Sequence, residues 1–246
     1  MRRVKAKMLF MALVGLLTGP IVAQAIPITI PTALNPGDEY RLVFVTSTTT
    51  DASSNSINYY NSFVSNLANS QSELAALGAT WTAIASTPFI NARNNTLTCS
   101  TSIGCLSSDL SYAIYNLFGQ KVADDNADLW NGSLDNAIAY NEEGIKLQGA
   151  TDGFYVWTGT HGHDGTRDNG LGGTCNYSAA DCARYGWWGG VNNNWVSYGA
   201  NRPLKDELHL YAISSVLTVP VPEPGTLALL GIGLAGLGFG RRKQHS

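Results

Sequence analysis

Residues 207–219 read Glu207-Leu208-His209-Leu210-Tyr211-Ala212-Ile213-Ser214-Ser215-Val216-Leu217-Thr218-Val219, and this stretch decides the fold. Leu208, Leu210 and Ala212 fall on one face of an extended chain and Tyr211 and Ile213 on the other, which is the two-residue period of a strand. A matching run lies far upstream. In residues 38–47, Tyr40, Leu42 and Phe44 alternate with Arg41, Val43 and Val45. A first and a last strand enclosing helices and a long loop predict an α+β domain closed by pairing of its own terminal strands.

Between these strands the text is helical at first. Asp51 or Ser53 can cap a helix, and Ile57, Tyr60, Phe63, Val64 and Leu67 then recur at three- and four-residue spacing to about Asn69. A second helical turn carries Leu74 and Leu77 and stops at Gly78. A short strand is predicted over 81–85. From Thr87 to about Asn201 the reading is mostly loop, punctuated by Trp130, Trp157, Trp187, Trp188 and Trp195, with a strand over 154–158 and a weaker one over 195–198.

The two ends are of a different kind. Arg2, Arg3, Lys5 and Lys7 precede an apolar run over 8–17, and Ala23-Gln24-Ala25 places small residues where a signal peptidase reads. Residues 1–25 therefore read as a secretory leader. At the other end, Val221-Pro222-Glu223-Pro224-Gly225 precedes an apolar stretch over 226–240 and then Arg241-Arg242-Lys243. A helix of that length spans roughly 22 Å, enough to insert with local bilayer thinning. The basic tip stays cytoplasmic, which puts the body outside. Gly231, Gly233 and Gly236 spell a dinucleotide-binding pattern, but they lie inside a membrane stretch, where small residues serve helix packing.

The body, residues 26–217, is followed by a linker and anchor over 218–246. Between Ile26 and Pro220 there are eight Lys/Arg against seventeen Asp/Glu, a formal net charge of −9. An acidic body without a basic stripe excludes nucleic acid as a partner. Four cysteines suit an oxidising compartment. Cys99 with Cys105 and Cys175 with Cys182 is the simplest of three pairings, and neither pair has zinc-site spacing.

Pro222-Glu223-Pro224, the Gly/Ala/Leu stretch and the Arg-rich tip, in that order, resemble the PEP-CTERM sorting signal. The resemblance implies recognition and cleavage near Pro222, Glu223 and Pro224 by an exosortase, a transient stay in the inner membrane, and delivery to the cell surface or extracellular matrix. In the body, Trp81-x-Ala83-Ile84-x-Ser86, Ile114-Tyr115-Asn116-Leu117, residues 122–130 (VADDNADLW), Val156-Trp157-Thr158-Gly159-Thr160 and Leu210-Tyr211-Ala212 follow one another across residues 40–214. The ordered set resembles a bacterial group with the C-type-lectin-like fold, related to the endostatin module. Such chains often have a cysteine where this one has Ala212, bridged towards the region of Cys175. Here Cys182 takes that place.

Three constellations are candidate sites. His161-Gly162-His163-Asp164, followed by Asp168, can be read as metal ligands or as a solvated polar loop, and no third ligand is fixed by spacing. Asp124-x-Asn126-x-Asp128 copies the start of a calcium loop, but Leu129 stands where glycine is needed and Asp135 where glutamate is. The competing reading is a structural corner with Trp130 in the core. Trp187, Trp188, Trp195 and Tyr198, beside Asn192, Asn193 and Asn194, can form a glycan platform. The alternative is that at least two of these aromatics are core. No G-x-S-x-G or H-E-x-x-H pattern is present, and no carboxylate pair stands out among seventeen acids. The expectation is a non-enzymatic exported surface or matrix protein that binds polysaccharide, with no resident cofactor. A purely structural biofilm component and a secreted hydrolase are the alternatives.

Overall fold

The computed structural model describes residues 26–99, 112–149, 153–175, 181–199, 201–221 and 225. The leader, Cys105, Pro222-Glu223-Pro224 and the apolar segment with its basic tip lie outside the described residues.

The first strand, β1 (Glu39–Val45), is buried from Tyr40 onward. The long run at 207–219 forms two strands, β9 (His209–Ser214) and β10 (Leu217–Thr218). Both pair antiparallel with β1, through Val43↔Ile213 and Tyr40↔Leu217. The run divides at Ser215, whose amide donates to Thr80 O while its hydroxyl accepts from Thr80 N. The other edge of β1 takes β3 (Ala113–Asn116) in parallel, followed by β4 (Lys121–Ala123). Against β9 lie β2 (Trp81–Ala83), antiparallel, and β5 (Tyr155–Trp157), parallel; β7 (Tyr185–Trp187) pairs antiparallel with β5. The mixed sheet thus runs β4-β3-β1-β9-β5-β7. A separate two-stranded ladder joins β6 (Cys182–Ala183) to β8 (Arg202–Pro203).

Alternation along β1 feeds two cores. Tyr40, Leu42 and Phe44 join Trp81, Trp157 and the buried face of α1 (Ile57–Ser70), which carries Tyr60, Val64 and Ala68. Val43 and Val45 point the other way, into a cluster with Ile114, Trp130, Val156, Trp195, Tyr211 and Ile213. The sheet is covered on both faces, as its doubly apolar strands require.

Four features differ from the sequence expectation. The N-cap position falls on Ser56, whose side chain makes no capping bond, and not on Asp51 or Ser53; Asp51 instead accepts from the amide and hydroxyl of Ser53. The stretch from Thr87 to Asn201 is mostly loop, as expected, but besides the expected strand at β5 it holds β3, β4, β6 and β7. These strands are two to four residues long, too short for alternation to register. The strand expected over 195–198 is a 3-10 turn, Asn193–Trp195, set by the Asn192 side chain accepting from Asn194 N. The fold also runs past the expected boundary at 217, because Thr218 pairs with Glu39 and Val219 is buried against Asp38. Among the described residues no helix is long and apolar enough to cross a membrane.

Candidate functional site

The strand pairing Tyr155↔Trp187 and Trp157↔Tyr185 puts four aromatic side chains on one face of the β5–β7 ribbon. Trp157 is buried, with its indole N–H shared between Thr50 O and Asp206 O. Tyr155, Tyr185 and Trp187 are half-buried, and Tyr198 joins them because its amide donates to Tyr185 O. Ring centroids are 4.9 Å apart for Tyr155 and Tyr185, 5.7 Å for Tyr155 and Tyr198, and 6.2 Å for Trp187 and Tyr198. The Arg202 guanidinium lies 5.3 Å from the Tyr155 ring centre and 5.7 Å from that of Tyr185, within cation–π range. Asp206 Oδ2 holds Arg202 Nε at 2.7 Å. Burial, with Tyr155 close by, pushes the Tyr185 phenol above its ordinary value. Beside this cluster is a cavity of about 260 Å³ lined by Phe154, Tyr155, Arg202, Glu207 and the buried His209.

The residues expected as a glycan platform are divided by the fold. Trp195 is 1% exposed and packs between Trp130 and Tyr211, at 5.5 and 5.7 Å. Trp188 is 7% exposed, its indole N–H on Gly153 O. Their ring faces belong to the core. Two of the three amides are engaged internally: Asn192 caps the 3-10 turn, and Asn193 donates to Gly132 O and Gly162 O while accepting from His163 Nε2 at 2.9 Å. Trp187 and Tyr198 remain at the surface. The sequence reading missed Tyr155, Tyr185 and Arg202. The signal for the tyrosines was two short aromatic-x-aromatic runs, Tyr155-Val156-Trp157 and Tyr185-Gly186-Trp187, that pair across strands.

Two of the candidate metal constellations meet in space. Asp124, Asp125, Asp128, Asn131 and His163 line one open depression of about 440 Å³. Its carboxylates serve as structural acceptors. Asp125 Oδ1 caps the Asp128 amide, and Asp128 accepts from Asp124 N and Asn131 Nδ2. Asp124 and Asp135 pair with Lys121. The short helix at Asn126–Leu129 turns Trp130 into the core, where its N–H donates to Thr98 Oγ1 at 2.8 Å. His161 Nδ1 stands 3.7 Å from Asp164. Partial burial raises the Asp164 carboxyl, but the hydroxyl and amide of Thr166, with His161 and Arg93 nearby, leave it below its ordinary value. Among the described residues no group of three or more His, Cys, Asp or Glu is placed to hold a metal.

Cys175 and Cys182 are bridged, with Cα atoms 5.5 Å apart. Cys99 is also disulfide-bonded, and its expected partner Cys105 lies outside the described residues.

The PEP-CTERM protein-sorting motif matches residues 220–243. No curated protein matches the chain. The motif supports an exported protein processed by an exosortase by way of a membrane-anchored intermediate.

Proposed function

We propose that the body is a non-enzymatic, C-type-lectin-like module of a cell-surface or extracellular-matrix protein and that it binds polysaccharide. The observation that carries this reading is the half-buried cluster of Tyr155, Tyr185, Trp187 and Tyr198 with Arg202 over two of its rings. Aromatic faces cover the apolar faces of sugar rings, and the Arg202 Nη donors, with Nε held by Asp206, can serve hydroxyls. The packing around the cluster holds it before a ligand arrives, which lowers the ordering cost of binding. The fold assignment rests on paired terminal strands, an early helix and a long central region whose short strands are pinned by tryptophans.

A glycan array probed with the secreted protein, with and without a chelator, tests the reading. The expected result is retention on at least one bacterial exopolysaccharide, unchanged by chelator and lost in Tyr198→Ala and Trp187→Ala. Absence of retention on every glycan removes it and leaves the structural-component reading, in which the same aromatics only close the β5–β7 edge.

A further inference from the structure

A second cleft lies away from the tyrosine cluster and includes none of the residues singled out by sequence. Three separate segments line it: Asn55 ahead of α1, the turn at 87–91, and the loop at 166–174, with Asp181 beyond it. Gly172 is the point of closest approach, since a Cβ there would stand 2.3 Å from Asn55 N and φ is +70°. The loop therefore lies flat against residues 54–55 and forms the floor of a polar cleft of about 410 Å³ lined by Asn55, Phe89, Arg167, Asn169 and Asp181. A smaller cleft of about 290 Å³, edged by Asn91, Asn94 and Thr166, shares Phe89 and Arg167 with it.

Phe89, common to the two clefts, has 81% of its surface exposed. Its ring is therefore open to a ligand. Arg167 is fixed beside it: its amide donates to Asn91 Oδ1 at 2.9 Å and its guanidinium to Pro88 O. The neighbouring Asp168 is ion-paired with Arg184, whose guanidinium also reaches Gly199 O. This pair ties the segment carrying Arg167 to those carrying Tyr185 and Tyr198.

We infer that the cleft around Phe89 and Arg167 is a second saccharide site, which takes a neutral hexopyranose unit with its apolar face on Phe89 and its hydroxyls on Arg167, Asn55 and Asp181. An exposed aromatic ring beside mixed donors and acceptors suits a ring that is apolar on its face and hydroxylated at its edge. The body's formal charge of −9 and the Asp181 carboxylate disfavour a uronate. The inference rests on the polysaccharide reading and adds a site, so that one chain of sugar units long enough to reach both engages the body twice and gains avidity.

The test is affinity electrophoresis of the purified full-length protein through gels holding dextran, mannan, laminarin or alginate. Phe89→Ala and Arg167→Gln are each expected to weaken retention on a neutral glycan roughly tenfold, the loss of about one strong contact. Phe89→Trp should retain binding, and the thermal midpoints of the Phe89 variants should stay unchanged because Phe89 is exposed. Retention lost in Trp187→Ala and Tyr198→Ala but untouched by both Phe89→Ala and Arg167→Gln overturns this inference and leaves the polysaccharide reading standing. An effect from only one of Phe89→Ala and Arg167→Gln, or retention on alginate alone, also overturns it. No retention of the wild-type protein on any of the four overturns both.

Discussion

Arg184 grips one oxygen of Asp168 with two donors, Nε at 2.9 Å and Nη2 at 2.5 Å, and each side chain is 19% exposed. The pair crosses between the loop floor at 168–170 and the junction of β6 and β7, and Arg184 N also donates to Asn169 O. Water reaches both charges in part, so the pair sits between a weak surface bridge and a costly buried one. Asp168→Asn and Arg184→Gln are each expected to destabilise by about 1–3 kcal/mol, as for charge-assisted hydrogen bonds. Urea unfolding of both single variants and the double variant measures this. A coupling energy near zero in that cycle would show that the two residues act independently.

Alkaline stability is set by opposed shifts. Burial raises the phenols of Tyr40, Tyr60 and Tyr211 above 10.0. The folded state keeps protons that the unfolded chain releases, so this stabilisation is fully present below pH 10 and is lost as pH rises beyond it. Arg41 works the other way. Burial lowers it to about 10, so its cost is present in full below about pH 10 and is relieved as pH rises from there towards the ordinary guanidinium value. Arg41 donates to Ser214 O and Thr96 O, both at 2.8 Å. Three phenols outweigh one guanidinium, and unfolding midpoints should fall above pH 10. Arg41→Met should fall more steeply, as its opposing contribution is gone. Absorbance of tyrosinate at 295 nm should rise in two steps, the second coincident with unfolding.

The β5–β7 ribbon gives a packing prediction. Gly186 sits opposite Val156, and a Cβ there would stand 2.0 Å from Trp195 O. Gly186→Ala must push the 3-10 turn outward and move Trp195 off Trp130 and Tyr211. Overpacking of this kind costs about 1–3 kcal/mol. A reduced unfolding midpoint with an altered near-ultraviolet tryptophan signal is the expected result. An unchanged near-ultraviolet spectrum would mean that the turn yields without disturbing the core.

What could be read from sequence followed the length of each element. The runs forming β1, β9 and α1 are long enough for their periods to stand out, and Val43, Phe44 and Val45 do meet Ile213, Ala212 and Tyr211 across the central ladder. Apart from β5, expected over 154–158, the strands of the middle were invisible because two to four residues carry no clear period. The same limit hid part of the candidate site. Trp187 and Tyr198 are close in sequence and were singled out, whereas Tyr155 reaches them only through the β5–β7 pairing and Arg202 only through the β6–β8 ladder. Proximity in sequence also misled, since it grouped Trp188 and Trp195 with surface residues although strand alternation and the 3-10 turn direct both inward.

The end of the folded body yields the last prediction. Gly37 N donates to Val219 O and Val219 N to Asp38 O, both at 2.9 Å, and Thr218 stands opposite Glu39. Leu217 is 9% exposed and Val219 7%. Burying two such side chains contributes about 3–6 kcal/mol, a large part of the roughly 5–15 kcal/mol that a domain commonly holds. A chain ending at Val221 is therefore expected to unfold at the same urea midpoint as the full-length protein, because it keeps the whole of β10 and its contacts with residues 37–39. A chain ending at Ser215 should lose most of its stability and become protease-sensitive at room temperature. Equal midpoints for the two truncated chains would place the boundary of the body before β10 and make residues 217–219 part of the linker after all.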